Sequence, residues 1–187
     1  RNTLYRVTKD RFNGHLATGL VGIPIITEWA VKNKQADFIY GMLKKREYPG
    51  YLYMLDNGAT TTWEHWNGER SHIHNCYNGI GSWFYQALGG FNPDEANPGY
   101  KHVFIQPQLV KGISWVKVAK ETPFGMLDVK WEKTDVSFTL DLSIPVGCKA
   151  TVLLPVKAKS VSINDVKSDK LDQLEMQSGD YRITCVL

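Results

Sequence analysis

One stretch of this sequence gathers side chains that could move protons. Glu64 lies between Trp63 and Trp66. The surrounding segment from Tyr51 to His74 adds Tyr53, Asp56, Asn57, Thr60, Thr61, Thr62, His65, Asn67, Glu69, Arg70 and His72. A carboxylate set against aromatic rings is partly desolvated, which keeps it basic enough to take a proton from water. Other chemistries fit these residue types less well. Ser71 beside His72 offers a hydroxyl and a base, but adjacency in sequence gives no triad geometry, and no strained elbow motif surrounds the pair. Cys76 sits in no nucleophile signature and reads as a buried thiol without chemistry. In an extended segment His72 and His74 face the same way, and Asp56, Glu64 or Glu69 would complete a metal site by type. An HxH pair by itself carries no specificity, since paired imidazoles serve equally to hold a carboxylate or a ligand hydroxyl. Neither a metal ion nor a cofactor is expected.

The inventory is better suited to sugars. Glycoside hydrolysis needs an acid to protonate the leaving oxygen and a carboxylate to activate water or attack the sugar carbon. Aromatic rings supply flat apolar walls, while Asp, Asn, His and Arg read hydroxyls. A competing reading of Glu64 is structural. Thr61-Thr62-Trp63-Glu64 is a T-x-x-E capping box, in which the glutamate would cap a short helix, although Asn67 and Gly68 interrupt that helix almost at once. Local sequence leaves the two readings level. Asp56, followed by Asn57 and Gly58, reads as a turn residue unless the site draws it inward. His15, in Gly14-His15-Leu16-Ala17-Thr18-Gly19, opens a glycine-rich turn without the GxGxxG spacing of a nucleotide site.

These groups must be positioned by two kinds of structure, because the apolar period changes near residue 97. Before it the spacing is helical. Segments are expected from about Ile23 to Val31 with Pro24 in the first turn, from about Lys34 to Leu43 ending before Pro49 and Gly50, and from Ile80 to Leu88 stopping at Gly89 and Gly90. Glu47 to Gly79 shows no such pattern, and a connection of that length is more often functional than idle. After Pro98 the period is two. Strands are expected at Val103–Ile105, Ile113–Ala119, Leu127–Trp131, Val136–Leu142, Ala150–Leu154, Val161–Ile163 and Tyr181–Leu187. Turn signals between them suggest a sandwich of antiparallel sheets.

Composition sets the limits. The 187 residues are 43% apolar, and 22 basic against 19 acidic residues give a net charge of +3. That interspersed charge, with Lys44-Lys45-Arg46 as its one compact basic run, is no nucleic-acid footprint. No stretch approaches the length of a membrane span, so neither nucleic acid nor membrane is an expected partner. The compartment stays open between bacterial cytoplasm and periplasm or exterior. Three cysteines, Cys76, Cys148 and Cys185, indicate neither a disulfide framework nor a zinc site.

The segments Gly14–Gly19, Gly50–Gly68 with its MLDNGATTTWEHWNG string, and Ser71–His74 resemble the C-terminal region of the bacterial α-L-rhamnosidases, glycoside hydrolase family 78. Gly81–Gln108 is similar to that family's last barrel helix and its crossing into a β-sandwich. The resemblance implies a segregated α+β architecture: residues 1–96 as the C-terminal portion of an (α/α)6 catalytic barrel, and 97–187 as an accessory antiparallel β-sandwich. It implies release of terminal α-L-rhamnose from rhamnosides with inversion, and Glu64 as general base. Trp63, Trp66, Tyr53 and Asp56 would line or support the sugar pocket, and His15 with His72 or His74 would bind hydroxyls. The family's general acid comes from an earlier barrel segment not in this chain, so the 187 residues alone are expected to be inactive, with the missing barrel portion as partner. His65 stands where relatives often carry arginine. Exposed apolar helix faces would favour homo-oligomers. Two alternatives stand beside this reading: a carbohydrate-binding or structural module without catalysis, and an exo-glycosidase of related fold acting on another sugar.

Overall fold

The structure is a computed structural model that describes residues 2–187, with nothing described for the side chain of Cys76. The chain divides into two compact units, Arg1–Trp83 and Phe84–Leu187.

The first unit is helical. Helices α1 (Asn2–Phe12), α2 (Gly22–Lys32), α3 (Ala36–Leu43) and α4 (Tyr51–Asp56) are followed by a 3-10 turn at Asn75–Ile80 and a short turn at Gly81–Trp83. Helix α2 is the hub. Ile23, Ala30 and Thr27 are fully buried on it, with Ile39 and Met42 of α3 and Trp83 also in the core. Its C-terminus shows why α2 and α3 fold back on each other. Lys34 adopts φ +55°, and the N–H groups of Lys34 and Gln35 return to the carbonyls of Val31 and Ala30. These are the paired bonds of a Schellman ending, which satisfy carbonyls the helix would otherwise leave open. Rings from three helices then meet, with Tyr5 4.5 Å from Phe38 and Trp29 5.8 Å from Phe38.

The α2 and α3 expectations match within a residue or two. The expected Ile80–Leu88 helix is present as Gly81–Trp83 and, at the start of the second unit, a π-helical turn at Phe84–Leu88. Two helices were not anticipated. α1 is mostly polar, with one buried residue, Thr8, and α4 is only six residues long, too short to display a 3.6-residue period.

The second unit contains ten strands in two sheets, after that turn. The four-stranded sheet has the order β1-β2-β6-β9, from Phe91–Pro93, His102–Ile105, Lys149–Leu153 and Gln173–Met176. The six-stranded sheet has the order β3-β4-β5-β10-β7-β8, from Trp115–Thr122, Gly125–Lys133, Ser137–Ile144, Gly179–Val186, Ser160–Ile163 and Val166–Ser168. All pairings are antiparallel except β2 with β6. The alternation read from sequence is the core pattern of this sandwich: Val129, Trp131, Leu140 and Ile183 of one sheet, and Ile105, Ala150 and Val152 of the other, are fully buried. Trp131 also donates its indole N–H to the Leu88 carbonyl at 2.7 Å, giving the large ring a polar anchor. Val136, expected on the inner face of β5, instead lies in the turn before it and is exposed.

On the outside of the four-stranded sheet, side chains form an unbroken chain. Asp94 Oδ2 is 2.8 Å from His102 Nδ1, His102 Nε2 is 3.0 Å from Thr151 Oγ1, and the Thr151 hydroxyl donates to Glu175 Oε2 at 2.8 Å. The order of groups imitates a catalytic triad, but the threonine proton is committed to Glu175. Among the described residues, no helix is long and apolar enough to cross a membrane.

Candidate active site

Glu64 is held in a loop that folds back on itself without forming strands. At the loop base the His74 N–H donates to the Thr62 carbonyl at 3.0 Å, and the Thr62 hydroxyl returns to the His74 carbonyl at 2.5 Å. Two residues further in, the Glu64 N–H donates to the Ser71 carbonyl at 2.8 Å. The tip turns through Gly68 at φ +78° and Arg70 at φ +63°. A Cβ added at Gly68 would stand 2.9 Å from the Trp63 ring, so both the backbone angle and the close approach over the indole call for glycine. His72 covers Trp63, stacked at 4.7 Å, and its Nε2–H donates to the Gly68 carbonyl at 2.8 Å.

No helix follows Glu64, so the capping-box reading fails: residues 64–67 are bends and turns and 68–69 are irregular. The carboxylate is held by the loop instead. Its Oε2 accepts the Ser71 N–H at 3.3 Å, while Oε1 lies 3.5 Å from the Arg70 guanidinium and 3.8 Å from the His65 ring. The side chain stays 26% exposed. The Ser71 N–H is the main reason the Glu64 carboxyl is held below its ordinary value. Partial burial opposes this, and the fields of Arg70, His74 and His65 add to it. Desolvation by tryptophan, the influence expected to dominate, is outweighed because Trp63 gives its face to His72 and Trp66 turns elsewhere.

Trp66 belongs to a second group. It is buried, stacks on Tyr77 at 3.8 Å, meets Tyr51 edge-on at 5.2 Å and donates its indole N–H to the Thr18 carbonyl at 3.2 Å. His15, also buried, donates Nδ1–H to the Pro49 carbonyl at 2.9 Å. A carbonyl can only accept, so this bond fixes the proton on Nδ1 and leaves Nε2 for a ligand. His15 and Trp66 share a cleft of about 610 Å³ with Arg11, Glu47, Tyr48 and Pro49. Tyr53 joins this group through Tyr48, edge-on at 5.5 Å. Asp56 does not join either group. Its carboxylate is gripped by Arg46 at 2.5 and 2.7 Å on the surface, at the end of α4.

The loop therefore brings together Glu64, Trp63, His72 and the backbone of His74, while His15, Trp66 and Tyr53 gather around the cleft. Sequence reasoning gave no role to Arg70 or to the Ser71 backbone. An N–H is common to nearly all residues, and only the fold-back of the loop selects this one. Among the described residues, no three His, Cys, Asp or Glu side chains come close enough together to hold a metal ion. The arrangement can do one thing well: present an ionised carboxylate, fixed at one oxygen, beside the Arg70 guanidinium.

Comparison with known proteins points the same way. The model of the bacterial α-L-rhamnosidase six-hairpin glycosidase domain matches residues 2–88, and that of the bacterial α-L-rhamnosidase C-terminal domain matches residues 90–168. An α-L-rhamnosidase of Alteromonas sp. is 30% identical over 185 residues, covering 92% of this chain and 20% of that protein. One from Formosa agariphila is 29% identical over 154 residues, covering 76% of this chain and 16% of that protein. The chain thus spans about a fifth of the length of the curated relatives it matches. Among solved structures, the α-L-rhamnosidase from Dictyoglumus thermophilum superposes with a TM-score of 0.88 at 25% identity, over 100% of this chain and 23% of that one. That from Aspergillus terreus gives 0.79 at 25% identity, over 95% of this chain and 20% of that one.

Proposed function

Because the chain belongs to the bacterial α-L-rhamnosidase family, we propose that it contributes the general base, Glu64, to an enzyme that releases terminal α-L-rhamnose with inversion of configuration. The observation that carries this reading is the state of Glu64: its carboxyl is held below the ordinary value, tethered through the Ser71 N–H, and partly open to solvent. A general base must be ionised before the reaction starts, and this one remains so through the neutral range.

In the proposed step a water molecule attacks the anomeric carbon on the face opposite the leaving group. Its proton passes to the Glu64 carboxylate as the new C–O bond forms and the glycosidic C–O bond breaks. The leaving oxygen takes a proton from a carboxylic acid supplied by residues outside this chain, about 6.5–9.5 Å from Glu64, a spacing that leaves room for the water. The helical unit forms part of the catalytic barrel, and the two sheets, from β1 at Phe91 onward, its accessory sandwich, so the boundary falls before residue 96 rather than after it. His15 Nε2, Trp66 and Tyr53 serve the sugar from the cleft, while Trp63, His72 and His74 hold the loop that aims the base. Asp56 acts at a distance, fixing α4 through Arg46.

Two measurements test the proposal. The 187-residue chain alone is expected to leave an aryl α-L-rhamnoside intact, while the chain extended to the length of its relatives hydrolyses it. Proton NMR of the first-formed sugar is expected to show the β-anomer; an α-anomer as first product would overturn the single-displacement mechanism.

A further inference from the structure

The six-stranded sheet has a second face, and its side chains are not accounted for by the core. Leu127, Val129, Leu140 and Ile183 point inward and are buried. Their neighbours one position along must then face outward, because side chains alternate along a strand. The register aligns them in rows. Asp128 of β4 stands opposite Ser143 of β5, which stands opposite Asp180 of β10. In the next row Lys130 faces Asp141, which faces Arg182. With strands about 4.8 Å apart, Asp128 and Asp180 are about 10 Å apart across the row.

These rows floor a shallow cleft of about 360 Å³, with Asn164 at its side. Its polar groups are fixed before any ligand arrives. Arg182 forks onto Asp141 at 2.7 and 3.1 Å, the Asn164 side-chain Oδ1 accepts the Arg182 backbone N–H at 2.7 Å, and the Ser143 hydroxyl donates to Asp180 Oδ1 at 2.6 Å. The network leaves valences over. Among the described residues the Asp128 carboxylate has no hydrogen-bond or ion-pair partner, Asp180 Oδ2 is free, and one guanidinium nitrogen of Arg182 is unused. Fixed carboxylate acceptors beside a fixed cationic donor are what neighbouring hydroxyls on a sugar ring require, since each hydroxyl donates one bond and accepts another.

The same face carries one more feature. Trp115, on the edge strand β3, pairs with Glu132 and is therefore on the outer side; it is 64% exposed. An indole so open to water is unusual on a face otherwise charged. Its row runs through Glu132 and Thr139 to Thr184 of β10, four residues along from Asp180, so Trp115 lies about 20 Å from Asp180, a distance an oligosaccharide spans and a monosaccharide does not.

We propose that the outer face of the six-stranded sheet, from the Asp128–Ser143–Asp180 row to Trp115, is a carbohydrate-binding surface for oligosaccharide chains, separate from the Glu64 loop. The inference extends the glycosidase reading, which makes a sugar polymer the relevant ligand. Binding in such a shallow, solvent-open cleft is weak, with Kd on the order of 1 mM.

The test is an NMR titration of the 187-residue chain, labelled on its backbone, with a rhamnose-terminated oligosaccharide of three or more sugars and with L-rhamnose alone. Shifts confined to β3, β4, β5 and β10 for the oligosaccharide, with affinity reduced at least tenfold by Asp128→Ala and more modestly by Trp115→Ala, are expected. Glu64→Gln should leave this binding unchanged, which separates it from the active-site reading. Absence of shifts on this face at saturating sugar, with the spectrum of a folded sandwich, would overturn the proposal. So would a response to a lysine-rich peptide alone, which would make the face a site for cationic partners.

Discussion

The loop at Glu64 and the outer face of the four-stranded sheet at Thr151 contain the same kinds of group: carboxylates, histidines and a threonine hydroxyl. In the sheet each is closed off. Asp94, His102, Thr151 and Glu175 pass hydrogen bonds from one to the next. In the loop, backbone groups hold the frame, and Glu64 keeps one oxygen at 3.5 Å from the Arg70 guanidinium and 3.8 Å from the His65 ring rather than in a tight pair. Composition is the same, and capacity for chemistry is not. What distinguishes them is whether a charged group has its bonding completed inside the protein.

This contrast can be broken by substitutions whose effects should differ in kind. Thr151→Val removes the link between His102 and Glu175 and leaves the half-buried His102 ring nitrogen and the exposed Glu175 carboxylate without it. Chemical denaturation should show a loss of about 1–3 kcal/mol, with turnover of the full-length enzyme unchanged. Acid sensitivity should change too. Glu175 is held below its ordinary value first by Gln173 and then by Thr151. A carboxyl lowered on folding stabilises above its unfolded pKa and loses that contribution as pH falls through the folded one. With Thr151 gone, the folded value rises toward the unfolded one, so stability should fall less steeply on acidification and the deficit against the unsubstituted chain should be largest near neutral pH. An unchanged acid limb would mean that the chain is not closed as described.

Gly68→Ala probes the loop. At φ +78° and 2.9 Å from Trp63, alanine should lower stability by about 1–2 kcal/mol, less than the sheet substitution at its upper range. Turnover should nevertheless fall, because the Trp63–His72 stack orients Glu64. Equal turnover with lowered stability would show that the loop geometry is only scaffolding. Arg70→Ala has the smallest expected effect. Arg70 helps to hold the Glu64 carboxyl low, so without it the pKa rises, and the acid limb of the kcat profile should move to higher pH while the alkaline limb stays in place.

The two regions were also unequally legible in the sequence. The sandwich announced itself because Leu127, Val129 and Trp131 alternate strictly and one face is buried, so a period of two survives in the residues. β1 and β8, of three residues each, are too short to show it, while β9 alternates over four residues but was not anticipated. In the helical unit, α2 and α3 carried a clear apolar stripe, whereas α4 lay hidden in a stretch rich in tyrosine and turn residues. Glu64 stood out by its neighbours, but the reason it stays ionised did not. That reason is a backbone N–H seven residues on, brought back by Gly68 and Arg70 at positive φ. Trp63 and Trp66 read as sugar walls by type; their rings are largely occupied by His72 and Tyr77, a packing choice that no local spacing reveals.

The central claim is that Glu64 activates the attacking water. The most direct test is Glu64→Ala in the full-length enzyme, assayed on an activated aryl α-L-rhamnoside with and without sodium azide. Removal of the base is expected to lower kcat by about 10²–10⁴-fold. Azide, which needs no deprotonation, should restore turnover and yield the β-L-rhamnosyl azide. Turnover that survives Glu64→Ala near its original rate without azide would contradict the account.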